Sequence, residues 1–236
     1  VTFDRQPSAQ LRGKASELLN TASDRTALMK ELYGIEQVYV LPFDEELRRQ
    51  SWDSFARGVL MEQYRARHIV CGYDFRFGAG GAGNAEKLSV FCRENGLGFD
   101  RISEVCLEGV RVSSTYIRGL LQEGRMEEAV RFLGHPHLLR GTVVDGRKIG
   151  RTLGIPTANL QPDEDVLLPK NGVYAARATA QGSHYPAVVN IGTRPTFGGK
   201  TVTVEPWLLD FAGDLYGQEI SLEFYRFLRP EQKFPD

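Results

Sequence analysis

Cysteine is scarce in this sequence: there are three, Cys71, Cys92 and Cys106, an odd number with no C-x-x-C among them. That pattern argues against a disulfide framework and against a zinc site, and it fits a reducing compartment. An excess of charge of either sign is also missing, with 29 Lys and Arg against 30 Asp and Glu. No global basic field therefore points to nucleic acid, and no acidic surplus points to disorder. The sequence has neither an apolar run long enough to span a bilayer nor a signal-like opening segment, so a cytoplasmic protein with no membrane partner is expected. What is present is 236 residues with 42% hydrophobic content, enough to bury a core in one large or, preferably, two modest domains. The expected partner is a small molecule.

One stretch, Gly141 to Asn159, organises the rest. A short strand, Thr142 to Asp145, leads into a loop where Gly146, Gly150 and Gly154 are interleaved with Arg147, Lys148 and Arg151, and then into Pro156-Thr157-Ala158-Asn159. Glycines let backbone N–H groups approach an oxyanion, and basic side chains add field. Thr157 and Asn159 offer oxygens suited to a hard cation such as Mg²⁺. This is not a P-loop: Gly146-x-x-x-Gly150-Arg151-Thr152 is one residue short, has Arg for Lys, and no amphipathic helix follows. On spacing alone, a glycine-rich hairpin with solvated basic residues fits equally well.

Along the chain, Val1 to Asp4 reads as the end of a buried strand with nothing before it to pair with. Helical spacing predicts a helix from Ser23, as N-cap, to Tyr33, stopped by Gly34, then a strand from Gln37 to Leu41. A second helix is predicted from Ser51 to Tyr64 with Trp52, Phe55, Val59, Leu60 and Tyr64 on one stripe, followed by the strand His68 to Cys71. Ala85 to Asn95 repeats the helix and Phe99 to Cys106 the strand, so this half reads as α/β with a mainly parallel sheet. The loop Gly72 to Asn84, with Asp74, Phe75 and Arg76, leaves the end of a strand where open α/β sheets hold ligands. Phe75 and Phe77 are poor choices for a merely solvated loop.

Ser113-Ser114-Thr115 stack hydroxyls at a helix start with Arg118 one turn in, an arrangement that attracts phosphate as well as capping the helix. A further helix covers Met126 to Leu133, and Gly134-His135-Pro136-His137 marks a boundary, read as a turn in preference to a metal site. Beyond it the segments Thr142–Asp145, Val173–Ala180, Pro186–Ile191, Thr201–Phe211 and Glu219–Leu228 read as strands without intervening helices, hence a compact antiparallel barrel. Alternation puts Glu205 on one face with Trp207 and Leu209, where partial desolvation would suit a general base. Pro206 leaves open the alternative of an edge-strand Glu.

Taken jointly, several segments resemble the riboflavin kinase module. They are the PTAN stretch ending at Asn159, Asn171-Gly172-Val173-Tyr174, Asn190 to Phe197, Glu205 with Leu208 to Phe211, Asp214-Leu215-Tyr216-Gly217, and Arg229-Pro230-Glu231 with Lys233-Phe234. Gly72 to Gly78 and Ser113 to Arg118 are similar to the FMN adenylyltransferase module fused to it in bacterial bifunctional riboflavin kinase/FAD synthetases. The resemblance implies an α/β nucleotidyltransferase-like (Rossmann-like) domain over residues 1–134, followed by an antiparallel β-barrel riboflavin kinase domain over residues 135–236. It also implies phosphorylation of riboflavin by ATP to give FMN, then transfer of AMP from a second ATP to give FAD, with Mg²⁺ accompanying ATP.

Carried over by position, Thr157 and Asn159 hold Mg²⁺ and the ATP phosphates, with Pro156 in the same PTAN motif. Gly146, Lys148, Gly150 and Arg151 form a flap over them, Asn190 and Arg194 join the site, and Glu205 takes the proton of the ribityl 5′-hydroxyl. In the other module, Ser113, Ser114 and Thr115 contact ATP phosphates, Arg118 is catalytic, and Asp74 and Phe75 lie near flavin and nucleotide. The implied state is a monomer or weak homo-oligomer that binds small molecules and no nucleic acid. Two family segments are not found: a G-x-F-D-x-x-H-x-G-H signature before Val1 and a helical segment after Asp236. Two incomplete ends are therefore expected. Riboflavin kinase activity alone, or a non-enzymatic flavin- or nucleotide-binding protein, stand as alternatives.

Overall fold

The computed structural model describes residues 1–5, 17–144, 158–162, 166–196 and 199–232. The chain divides into two compact units, one of Val1–Ala15 with Tyr39–Val112 and one of Ser16–Val38 with Ser113–Asp236.

In the first unit, β1 (Thr2–Phe3) finds its partner further along the chain, pairing in parallel with β2 (Val40–Leu41). Asp4 extends this by accepting from the Phe43 N–H at 2.8 Å, while Phe3 and Phe43 pack edge to face. The strand expected from Gln37 is thus only two residues long. Helix α1 (Ala22–Tyr33), which lies between β1 and β2 in sequence, belongs to the second unit.

After β2 come α2 (Glu45–Arg49) and α3 (Trp52–Ser54), the latter capped by the Ser51 hydroxyl. The single α-helix expected to Tyr64 is instead a π-helical run, Phe55–Gln63, closed by Tyr64 N–H donating to Val59 O. An i→i+5 turn is wider than an α-turn, so a stripe written at 3.6 spacing rotates off the core after its start. Phe55 and Ala56 are accordingly buried, whereas Val59, Leu60 and Met61 are only partly so.

There follow β3 (His68–Gly72), β4 (Arg76–Phe77), β5 (Gly83–Asn84), α4 (Ala85–Glu94) and β6 (Gly98–Ile102), with β3 and β6 paired in parallel. The hairpin β7 (Cys106–Leu107) and β8 (Val110–Arg111) replaces the far end of the expected strand to Cys106. The core joins Phe55, Ile69, Cys71 and Phe77 to Leu88, Phe91 and Cys92 on the buried face of α4.

In the second unit, Thr21 and not Ser23 caps α1, accepting from the Asp24 N–H at 3.0 Å, and Gly34 ends the helix in the left-handed region as expected. Helices α5 (Ser114–Glu123) and α6 (Met126–Leu133) lead into β9 (His137–Val144), which begins five residues before the predicted strand. Next come β10 (Asn159–Pro162), β11 (Gly172–Ala180), β12 (Ser183–Thr196), β13 (Gly199–Leu208) and β14 (Glu219–Arg229). They close a barrel in the order β10-β13-β12-β11-β14-β9, every adjacent pair antiparallel.

The closing strand, β10, is a correction, because sequence reading left Asn159 at the end of a loop. Gly141 permits this closure: a Cβ there would stand 2.8 Å from the Gln161 carbonyl carbon and 2.9 Å from Pro162 Cα. Inside lie Leu139, Val143, Leu160, Tyr174, Val189, Ile191, Val204, Leu222 and Phe224. Burial pushes the Tyr174 phenol well up, and its hydroxyl donates to the Lys170 carbonyl.

Segments outside the barrel brace it. Leu18 bridges Val166, and Leu167 N–H donates to Leu18 O at 2.8 Å. Asp24, almost fully buried, faces Arg140 Nε on β9 at 2.9 Å. Among the described residues no helix is long and apolar enough to cross a membrane.

Candidate active site

Barrel register brings together residues far apart in sequence. Leu160 pairs with Val204, and Ala158 N–H donates to Pro206 O at 2.9 Å, which sets Asn159 beside Glu205. On the other side of β13, Glu205 pairs directly with Asn190. Asn159, Glu205 and Asn190 therefore form one row across β10, β13 and β12.

Their sequence neighbours Leu160, Val204, Val189 and Ile191 are buried inside the barrel, whereas the three polar residues are half-buried. The row therefore lies on the opposite face, with directly opposed side chains starting about 4.5–5.5 Å apart. The expected face for Glu205 holds in that Trp207 shares it and both are half-buried, but the fully buried face of β13 is the other one, with Val204, Pro206 and Leu208. Nor is Glu205 on an edge, since β13 lies between β10 and β12. Pro206 is accommodated there, and its carbonyl serves as the acceptor for Ala158.

Gly146, Lys148, Gly150, Arg151, Pro156 and Thr157 lie outside the described residues, as does the side chain of Arg194, whose backbone pairs with Thr201. Asn171, on the approach to β11, donates from Nδ2 to Thr193 Oγ1 at 2.6 Å and so ties that approach to β12 near the row. His137, once a candidate for a turn, is the first residue of β9 and almost fully buried against Phe224. Desolvation lowers its imidazole to about 4, which keeps it neutral at physiological pH.

In the first unit, the Gly72–Gly78 loop is held from both sides. Asp74 accepts from Arg111 Nη2 at 2.5 Å, Arg111 Nε lies 3.3 Å from Glu104, and the Tyr73 hydroxyl donates to Glu104 at 3.0 Å. Arg111 also sits over the Tyr73 ring. These groups are about half exposed, so each ion pair is worth little alone and their joint effect is to orient Asp74. Phe75 stacks on Phe77 at 5.1 Å, and Phe77 meets Trp52 edge-on. Gly78, at φ 72°, is required because a side chain there would strike the Trp52 backbone. Phe77 is thus core and Phe75 packs against it, where sequence reading expected the loop to cover a ligand; the Arg111 anchor was missed, because a two-residue strand carries no periodic signal.

The Ser113–Arg118 segment belongs to the second unit. Ser113 caps α5, accepting from Tyr116 N–H at 3.2 Å, while Ser114 and Thr115 stand exposed at its first turn. Arg118 Nε donates to the Glu17 carbonyl at 2.8 Å, and burial draws its guanidinium below its ordinary value.

Residues 133–236 match the riboflavin kinase family model, and residues 1–116 match that of FAD synthetase. A protein of Escherichia coli K12 named bifunctional riboflavin kinase/FMN adenylyltransferase is 38% identical over 236 residues, covering 99% of this chain and 75% of its own length. Its namesake in Listeria monocytogenes is 34% identical over 99% of this chain and 74% of its own. A crystal structure described as a macrolide-efflux protein from Streptococcus pneumoniae superposes with a TM-score of 0.87 at 29% identity, over the whole of this chain and 77% of that one. At this identity and coverage, and with both family models matched, the chain belongs to the bifunctional riboflavin kinase/FMN adenylyltransferase family.

Proposed function

We propose that the outer face of the barrel phosphorylates riboflavin to FMN at the expense of ATP, and that the α/β half serves adenylylation of FMN to FAD. The observation that carries the kinase reading is the row Asn159–Glu205–Asn190, contributed by three adjacent strands. Phosphoryl transfer asks mainly for alignment and charge neutralisation, so a rigid row of oxygen and amide groups beside one carboxylate is a sufficient protein contribution.

Glu205 accepts the proton of the ribityl 5′-hydroxyl as that oxygen attacks, and its place on an inner strand fixes its direction. Asn190, directly opposite, orients the attacking hydroxyl or the Glu205 carboxylate. Asn159 faces the nucleotide, and Thr157, Gly146, Lys148, Gly150, Arg151 and Arg194 are assigned to the same nucleotide site on the family resemblance alone. Mg²⁺ would supply charge neutralisation on the transferred phosphate. The donor chemistry fits it: Asn159 supplies a side-chain oxygen in register beside Glu205, and Mg²⁺ takes few protein oxygens, keeping phosphate and water for the rest. For adenylylation, the resemblance assigns Asp74 and Phe75 of the first unit to the flavin and, separately, Ser113, Ser114, Thr115 and Arg118 at the α5 start of the second to nucleotide phosphates. The boundary near residue 134, a cytoplasmic location, and a monomer or weak homo-oligomer belong to the same reading.

The test is incubation of the purified chain with riboflavin, ATP and Mg²⁺, with riboflavin, FMN and FAD separated chromatographically. FMN should form, and Glu205→Gln should lower turnover by about 10²–10⁴-fold with ATP and riboflavin still bound. Near wild-type turnover in that variant would move the base elsewhere.

A further inference from the structure

A second carboxylate reaches the face that carries Glu205. Asn190 and Gly192 lie two apart on β12, hence on the same face of that strand. Gly192 is opposite Thr203 and diagonal to Glu205. Gly192 is nonetheless buried, and what covers it is Glu231, from the segment just after β14. A Cβ at position 192 would stand 2.9 Å from Glu231 Cδ and closer still to Oε1, and 3.3 Å from Asn190 Nδ2. No left-handed backbone calls for glycine here, since Gly192 is not among the residues with positive φ. The missing side chain is the space that the Glu231 carboxylate occupies.

The polar row therefore continues along the strand. Glu205 and Asn190 stand side by side, and the Glu231 carboxylate lies over the next same-face position, about 6.6–6.8 Å further along β12. Position 192 holds no competing side chain, and the Glu231 side chain is exposed at its far end of the row.

Resting on the reading of Glu205 as the base at the ribityl 5′-hydroxyl, we propose that Glu231 is a specificity-determining residue for the acceptor. Its carboxylate accepts hydrogen bonds from inner hydroxyls of the ribityl chain, and Gly192 is the vacancy that lets it do so. A polyol whose terminal hydroxyl sits at Glu205 runs its inner hydroxyls along the face toward Gly192, and an ionised carboxylate can accept from two of them at once. This selects a flavin bearing a polyhydroxylated chain over one bearing a plain alcohol, because the plain alcohol offers the Glu231 carboxylate no donors where the ribityl chain offers two.

The test uses the full chain and two acceptors, riboflavin and a flavin with a hydroxypentyl chain in place of ribityl. Glu231→Ala should lower kcat/KM for riboflavin by roughly 10–100-fold, the worth of hydrogen bonds to a charged group. The loss should fall in the riboflavin KM, with the ATP KM unchanged. With the hydroxypentyl flavin the same substitution should change kcat/KM by less than about twofold. Gly192→Ala should reproduce the riboflavin defect by displacing the carboxylate, and should add nothing in the Glu231→Ala background.

An equal loss with both acceptors, an unchanged riboflavin KM, or a Gly192→Ala effect that persists without Glu231 would overturn the assignment. The last outcome would trace the effect to crowding of Asn190. Failure of the wild-type chain to make FMN would instead overturn the underlying kinase reading, so the two failures are told apart in one experiment.

Discussion

Asp24 lies in the N-terminal half of the sequence but is predicted to set the stability of the barrel unit. Its side chain is 2% exposed and faces Arg140 Nε at 2.9 Å, with Arg140 31% exposed. Asp24 Oδ2 accepts from the Thr21 hydroxyl at 2.9 Å, whereas Oδ1 and the Arg140 Nε–H are not aligned for a directed hydrogen bond. Charge holds this contact. Removing one partner of a buried pair costs about 3–5 kcal/mol, because the other charge stays behind. Water reaching Arg140 and the absent alignment bring the expectation for Asp24→Asn down to about 2–3 kcal/mol. A chain of this size loses ~2–4 °C per kcal/mol, so melting should fall by roughly 4–12 °C. Circular dichroism would follow the transition, and hydrogen exchange on β9 and β14 peptides would assign it to the barrel. Asp24→Leu with Arg140→Met should recover most of the loss, since a buried pair replaced by apolar groups is often neutral. A single Asp24→Asn variant within about 1 kcal/mol of wild type, or a loss confined to peptides of the first unit, would refute the reasoning.

Two other outcomes are expected. Asn159→Ala should weaken Mg·ADP binding by the barrel measured calorimetrically, while Asp74→Ala leaves that binding unchanged; equal affinity in Asn159→Ala and wild type would take Asn159 out of the nucleotide site. His137, lowered to about 4 from an ordinary value of 6.5 by burial, stays neutral in the folded state while the unfolded chain gains a proton below pH 6.5. Stability should therefore be intact above about pH 6.5 and fall progressively toward pH 4, by on the order of 3 kcal/mol. His137→Leu should flatten that limb of a pH series of denaturant titrations, and an unchanged limb would show that other groups carry it.

The helices legible in the sequence are those whose ends carry chemistry. Gly34, Gly124 and Gly134 stop α1, α5 and α6 in the left-handed conformation, and Ser113 and Asn84 cap the starts of α5 and α4. The π-helical run was not legible, because Phe55 to Gln63 carries an apolar pattern that also satisfies an α-helix. Strands were found where alternation is long, as in β11 and β14, and missed at β4 and β10, which have two and four residues. So short a strand is defined by its partners and not by its own pattern. Assignment of α1 to the barrel's unit was equally hidden, since the apolar spacing of Leu28, Met29, Leu32 and Tyr33 suggests a buried stripe, whereas Leu32 and Tyr33 are exposed and the helix's buried residue is Asp24, which faces Arg140.

The candidate site divides along the same line. Residue types at Asn159, Asn190 and Glu205 could be read as phosphate, amide and base chemistry, but their meeting could not, because they come from positions 31 and 15 residues apart in sequence (190 − 159 and 205 − 190). Register alone brings them together: Leu160 opposite Val204 and Asn190 opposite Glu205 leave no other arrangement. A slip of one residue in β13 would turn Glu205 into the barrel and Val204 out of it, burying a carboxylate among Leu160, Val189 and Ile191. The cost of burying that unpaired charge is several kcal/mol, so the apolar inner face of β13 is what enforces the polar outer row. Packing of Val204 and Leu208 thus fixes where Glu205 points, and substitutions that weaken the inner face should degrade the direction of the base before they unfold the barrel.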